Sequence, residues 1–170
     1  RGAGGAHGLR LFGARAVESM RLEKGYLHWK SDLLTEFDPF ETGLDRFVDM
    51  SKPAFVGKEA LQARVEAGPQ RKLVSLHLDA DHAAAHGGAS VMVADTVVGT
   101  VTSGDWGYRT KMNPAYAFIE PDLAAEGTRL AIDVLGHMVQ AHVIKPGPYD
   151  NRYTLVRSYA PVDRSSALQG

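Results

Sequence analysis

Apolar positions repeat with two different periods along this chain. Over the first seventy residues the rhythm is three to four. Leu9, Phe12, Ala16, Met20 and Leu22 recur at that spacing, which predicts an amphipathic helix ending near Gly25. A loop bearing Tyr26 and Trp29 follows, and then Asp38-Pro39-Phe40-Glu41. Asp before Pro is an N-cap with proline at the first helical position. A short helical turn is therefore expected to run into Gly43, with Arg46–Val48 leaving it extended. Phe55 to Leu61 opens a further helix reaching about Ala67, where Gly68 caps the end and Pro69 stops it.

Beyond Pro69 the period falls to two. Segments 72–78, 90–94, 97–103, 115–119, 128–134 and 138–144 alternate or run apolar between Gly, Pro, Asn and Asp, and read as six short strands. Residues 91–102 are expected to form a hairpin turning at Asp95-Thr96. Six strands without intervening helices favour a small antiparallel barrel, closed or nearly so. The expectation is an α+β chain divided at about residue 70: a helical region over 1–70, then a β-barrel domain over 71–170.

Composition adds mainly exclusions. Charge is balanced, with 19 Lys+Arg against 20 Asp+Glu, and neither half holds the basic surplus that a phosphate backbone requires; nucleic acid is not an expected partner. No apolar run approaches the ~20 residues of a membrane span. Cysteine is absent, which removes disulfides and thiolate metal sites and fits a reducing compartment. His82 and His86 lie in an Ala/Gly loop without a third ligand nearby, and His137 and His142 fall on opposite strand faces, so no metal site is expected. There is no G-x-G-x-x-G between a strand and a helix, hence no dinucleotide-binding unit. Arg1–His7 is small and Gly-rich, and reads as a flexible lead-in or a cut end; the chain is expected to begin within a longer gene product.

Five short motifs occur in order: Ser19-Met20-Arg21-Leu22-Glu23-Lys24-Gly25, Asp38-Pro39-Phe40-Glu41-Thr42-Gly43-Leu44, Phe55-Val56-Gly57-Lys58-Glu59-Ala60-Leu61, Gly99-Thr100-Val101-Thr102-Ser103-Gly104 and Tyr153-Thr154-Leu155. Together they resemble the C-terminal portion of the glycine-cleavage T-protein (aminomethyltransferase) family. The wording of Asp38–Leu44 and the following Asp45-Arg46-Phe47-Val48 is nearer to the subgroup fused to sarcosine and dimethylglycine dehydrogenases. The resemblance implies the end of a folate-binding α/β region followed by the barrel. It also implies transfer of a one-carbon unit from a small methylated amine to tetrahydrofolate. FAD would enter only with an upstream domain. The assisting carboxylate and the acidic residue that grips the pterin are upstream in this family, so no catalytic residue is expected here, and the chain alone is expected to be incomplete.

Residue by residue, the resemblance points to Tyr26 and Trp29 as aromatic walls of a folate cleft; each reads equally as packing at the end of a helix or in the core. Family members commonly carry Arg where this chain has Val17, which removes a partner for a folate carboxylate. Arg46 and Arg152 stand where the family often has Trp and Tyr, and either is a candidate for the missing charge or a surface arginine. Tyr108, in the loop after Gly104, is placed to reach the site or simply to end a hairpin. Arg21 and Glu23, near a helix end, are each expected to join a buried ion pair that holds the helix against the barrel, and Glu41 is expected to serve likewise near a helix N-terminus, where a carboxylate is favoured. The small residues of 99–104 allow close approach by backbone or ligand.

Three functions remain open on these grounds. One is the C-terminal part of a folate-dependent one-carbon transferase. Another is a non-catalytic domain that completes the folate cleft of a partner subunit. The third is a relative that demethylates a sulfur or oxygen donor. The partner would be the remainder of the parent polypeptide or a separate subunit, in bacterial cytoplasm or the mitochondrial matrix.

Overall fold

The computed structural model describes residues 2–81 and 83–158. The helical region comprises α1 (Gly2–Gly5), α2 (Ala14–Lys24), α3 (Pro39–Thr42), a 3-10 turn at Asp45–Phe47, and α4 (Lys58–Ala67). Six strands follow: β1 (Lys72–Leu78), β2 (Ser90–Val93), β3 (Thr96–Gly104), β4 (Pro114–Ile119), β5 (Arg129–Val134) and β6 (His137–Ile144), with a last helical turn, α5 (Thr154–Arg157). The strands close into an antiparallel barrel in the order β1-β4-β3-β2-β5-β6, with β6 returning to β1. The expected α+β architecture with a six-stranded barrel is what the chain adopts.

Alternation explains the interior. Val74, Leu76 and Leu78 of β1 point inward to meet Val91, Val101, Ala117, Ile119, Leu130, Ile132, Ala141 and Val143 in one apolar cluster. Strand β4 departs from the pattern, because all six of its residues are buried. Its outward side chains are covered by the helical region. Phe37 stacks on Phe118 with ring centroids 3.6 Å apart, and the Arg21 guanidinium lies 5.8 Å from the centroid of the Tyr116 ring. An apolar strand covered on both faces is thus what seats the helices on the barrel.

Close backbone approach explains the glycines of β3. A Cβ at Gly99 would stand 2.3 Å from the Phe118 carbonyl oxygen, and one at Gly104 would stand 2.6 Å from that of Ala85. At both positions the nearest neighbour is another segment of backbone.

Several local expectations are corrected. Helix α2 starts at Ala14; Leu9 and Phe12 precede it and are exposed, the helical run being interrupted by Gly13 at the N-cap. Its buried residues are Ser19, Arg21, Leu22 and Glu23, whereas Val17 and Met20 lie open, so the helix buries a largely polar face and exposes an apolar one. Arg46 lies in the 3-10 turn, and only at Val48 does the chain extend. The β2–β3 hairpin turns at Ala94-Asp95, one residue earlier than expected. Gly2–Gly5 forms a helical turn where a flexible lead-in was expected. The Asp38 cap is formed as read: its carboxylate accepts from Phe40 N and Glu41 N, and Glu41 reaches back to Asp38 N.

In urea titration, Gly99→Ala should destabilise the chain by about 2–3 kcal/mol, since the Phe118 carbonyl oxygen and both the backbone and the side chain of Ile119 crowd the new methyl. Gly13→Ala, with open space around it, should cost under about 1 kcal/mol in the same titration, the loss of a glycine N-cap.

Candidate functional site

The helical region meets the barrel around one carboxylate. Asp32, fully buried, sits in the loop after α2 and accepts four hydrogen bonds. Its donors are Arg21 Nη1 at 2.5 Å, His28 N at 2.8 Å, Thr102 Oγ1 at 2.5 Å and Ser103 Oγ at 2.6 Å. Two adjacent strand residues ordinarily face opposite ways. Here the β3–β4 register shifts between Val101 and Ser103, and that bulge turns both hydroxyls onto the same oxygen. Arg21 also donates to the Tyr26 carbonyl and pairs with Glu18. Two of the five sequence motifs therefore converge on Asp32, which belongs to neither.

The other motif carboxylates do the same work elsewhere. Glu23 Oε1 accepts from Arg109 N, Thr110 N and Thr110 Oγ1 at 2.7–2.9 Å, tying the 105–110 loop to α2. Glu41 Oε1 accepts from Gln70 N and Arg71 N at the entry to β1. Lys24 Nζ donates to Asp150 at 3.0 Å and holds the segment that carries Arg152 and Tyr153. The Asp150 carboxyl is drawn down to about 2, first by the Thr154 hydroxyl and also by Lys24. Arg21 thus makes the buried ion pair expected of it, whereas Glu23 and Glu41 clamp their segments by accepting hydrogen bonds from backbone N–H groups and a hydroxyl in place of the expected ion pairs.

Of the cavities that flank this junction, two hold residues expected at the site. The first, about 570 Å³, lies between the exposed edge of α2 and the 105–110 loop; Arg15, Ser19, Met20, Glu23, Tyr108 and Arg109 line it. Tyr108 is largely exposed there, Arg15 makes one long ion pair of 3.3 Å with Asp105, and Arg109 lies 5.0 Å over the Tyr149 ring. Both lining carboxylates are engaged: Glu23 as above, Asp105 with Arg15 and Trp106 N.

The second cavity, about 430 Å³, opens beyond the C-terminal end of α2, between Tyr26, Leu44, Arg46 and residues of β1 and β4. Its floor contains Ser75 and Tyr116, directly opposed across the β1–β4 pair. Both hydroxyls are buried, and neither meets hydrogen-bond geometry with a protein partner. Burial pushes the Tyr116 phenol up to about 12, with Ser75 and Arg21 drawing it back and the Asp32 charge pushing it higher.

The expected site residues are thus divided. Tyr26 and Arg46 share the second cavity; Tyr108 lines the first; Trp29, 60% exposed, and Arg152, also exposed, line neither. Tyr26 stacks on Tyr153 with centroids 6.3 Å apart, and that partner raises its pKa. Sequence reasoning missed Asp32, Arg15 and Arg109. A lone Asp in a loop carries no spacing signal, and its hydroxyl partners lie seventy residues away.

Comparison with known proteins bears on both regions. A family profile described as "Glycine cleavage T-protein C-terminal barrel domain" matches residues 71–150, and one described as "GCVT N-terminal domain" matches residues 1–52. Mitochondrial dimethylglycine dehydrogenase of Rattus norvegicus is 35% identical over 144 residues, covering 84% of this chain and 17% of that protein. Aminomethyltransferase of Saccharopolyspora erythraea is 36% identical over 143 residues, covering 84% of this chain and 39% of its own length. The chain therefore spans well under half of these relatives. In fold, it superposes on the glycine cleavage system aminomethyltransferase T of Bartonella henselae with a TM-score of 0.80 at 23% identity, over 87% of this chain and 42% of that one.

Asp32→Ala should cost about 3–5 kcal/mol in urea unfolding, because it leaves Arg21 buried without its counter-charge and the Ser103 hydroxyl and His28 N without their acceptor. Tyr116→Phe has a pH signature. With the folded pKa raised above its ordinary value near 10, the contribution of Tyr116 is complete below that value and is lost as pH rises toward 12. The variant should flatten this alkaline fall in stability.

Proposed function

The chain belongs to the glycine-cleavage T-protein family, and from that premise we propose that it forms one wall of a tetrahydrofolate cleft in a protein that passes a one-carbon unit from a methylated amine to tetrahydrofolate. The likeness to a dimethylglycine dehydrogenase favours the dehydrogenase-associated branch. In this reading residues 1–70 belong to the folate-binding region and 71–170 to the barrel domain. Bacterial cytoplasm and mitochondrial matrix both suit it, and no helix among the described residues is long and apolar enough to cross a membrane.

The observation that carries the proposal is the cavity beside Tyr108. Tetrahydrofolate combines flat rings with a glutamate tail that is anionic at neutral pH. The cavity combines a tyrosine face and a methionine with two guanidiniums, Arg15 and Arg109. Arg15 and Arg109 offer the positive charge that Val17 cannot. The apolar side chains exposed along the same segment (Leu9, Leu11, Phe12, Val17 and Met20) extend this wall toward whatever closes the cleft.

The chain's own part in the reaction is then positional. Tyr108 and Met20 cover a ring, the arginines fix the tail, and the loop pinned to Glu23 keeps that surface rigid. Because Glu23 and Asp105 are committed to the fold, the assisting carboxylate comes from the remainder of the parent protein. Tetrahydrofolate supplies the nitrogen that accepts the carbon.

One observation favours a second placement. The buried hydroxyls of Ser75 and Tyr116, opposed across the β1–β4 pair, would offer hydrogen bonds to a polar ligand in the cavity shared by Tyr26 and Arg46. The two placements separate experimentally. In the full-length protein, Tyr108→Ala should weaken tetrahydrofolate binding about tenfold, while Arg46→Ala and Arg152→Ala leave it unchanged. Unchanged binding in Tyr108→Ala with loss in Arg46→Ala would move the ligand to the second cavity. Absence of binding by the wild-type protein would overturn the folate reading itself.

A further inference from the structure

The seam that closes the barrel carries a side-chain cluster unrelated to either cavity. Strands β1 and β6 pair over four registered positions, and His77 and His142 are direct partners among them. Their rings meet edge to face with centroids 5.2 Å apart. Asp79, one step beyond Leu78 at the end of β1, brings its Oδ1 to 3.9 Å from His142 Nδ1. One donor atom from each residue lies within 4.8 Å of the other two.

We propose that His77, Asp79 and His142 bind a borderline divalent metal ion, of the zinc, cobalt or nickel kind, which clamps the first strand of the barrel to the last. Two imidazoles and one carboxylate form a donor set suited to such ions rather than to calcium or magnesium, which take oxygen cages. Three protein ligands leave a coordination position for water.

The surroundings fit this assignment. Asp79 and His142 are partly open to water, so the small rotations that bring the donors to bonding distance displace no core side chain. Asp79 N donates to the Gln140 carbonyl, which fixes the backbone bearing the carboxylate beside β6. Arg129 stands directly opposite His142 on β5 and lines the same hollow of about 340 Å³ with Gln140. That cation disfavours a site that works by bulk negative charge. It leaves coordination by the imidazole nitrogens as the source of affinity.

Sequence spacing conceals the cluster, because His77 and His142 are brought together only by barrel closure. The pairs visible in sequence behave differently. His137 lies at the far end of β6, and His82 is outside the described residues.

The test is calorimetric titration of the full-length protein with zinc chloride in a non-chelating buffer, repeated with magnesium chloride. Wild type should take up one equivalent of zinc that His77→Ala and His142→Ala each lose or bind at least tenfold more weakly. His137→Ala should retain it, and magnesium should produce no matching event. Zinc should also raise the Tm of wild type and not that of the two variants, each first shown to be folded by circular dichroism. Cobalt should give a visible absorption band that His142→Ala abolishes. Zinc uptake unchanged in both His77→Ala and His142→Ala, or no uptake by wild type, would overturn the proposal.

Discussion

The junction between helices and barrel depends on a buried carboxylate, and most of what surrounds Asp32 follows from the need to satisfy it. An ionised side chain away from water is tolerated only with opposite charge and a full set of donors. Arg21 supplies the charge, and His28 N, Thr102 and Ser103 supply the remaining donors. Those demands fix three otherwise separate features: the rotamer of an arginine on α2, the path of the loop beginning at His28, and a bulge in β3. Removing any one leaves a polar group buried without a partner, which costs more than the bond itself contributed.

The same demand turns α2 inside out. A helix whose buried face carries Ser19, Arg21 and Glu23 must expose its apolar residues elsewhere, and Val17 and Met20 are exposed. The apolar edge thus lies beside Tyr108 and the two arginines, where a flat anionic ligand is best received. Polar residues inside hold the loop rigid, and apolar residues outside form the receiving wall. Stability and proposed function are divided between the two faces of one helix.

Legibility from sequence followed the range of the interaction. The strands were readable because alternation is local, and the Asp38 cap and Gly25 terminus because caps are local too. The start of α2 was misread: the rhythm from Leu9 assumed that apolar residues mark the buried face, and here they do not. The structural roles of Arg21, Glu23 and Glu41 were legible from their places near helix ends, although only Arg21 acts through the expected ion pair. Asp32 was not, since its meaning depends on hydroxyls seventy residues away and on a bulge that no local pattern announces. The pairing of His77 with His142 was hidden by chain closure in the same way. Of the residues offered for a folate cleft, Tyr26 and Arg46 converge on one cavity, formed by the loops after α2 with β1 and β4, and Tyr108 lines another, formed by α2 and the loop after β3.

The central claim is that the exposed edge of α2 and the loop after β3 form one ligand-facing wall, braced from behind by Asp32 and Glu23. Hydrogen–deuterium exchange on the full-length protein, with and without tetrahydrofolate, tests it most directly. The account predicts ligand-dependent protection concentrated in residues 14–20 and 105–110, with the amides around Asp32 slow to exchange in both states. Protection confined to residues 25–46, or none anywhere in the chain, would contradict it.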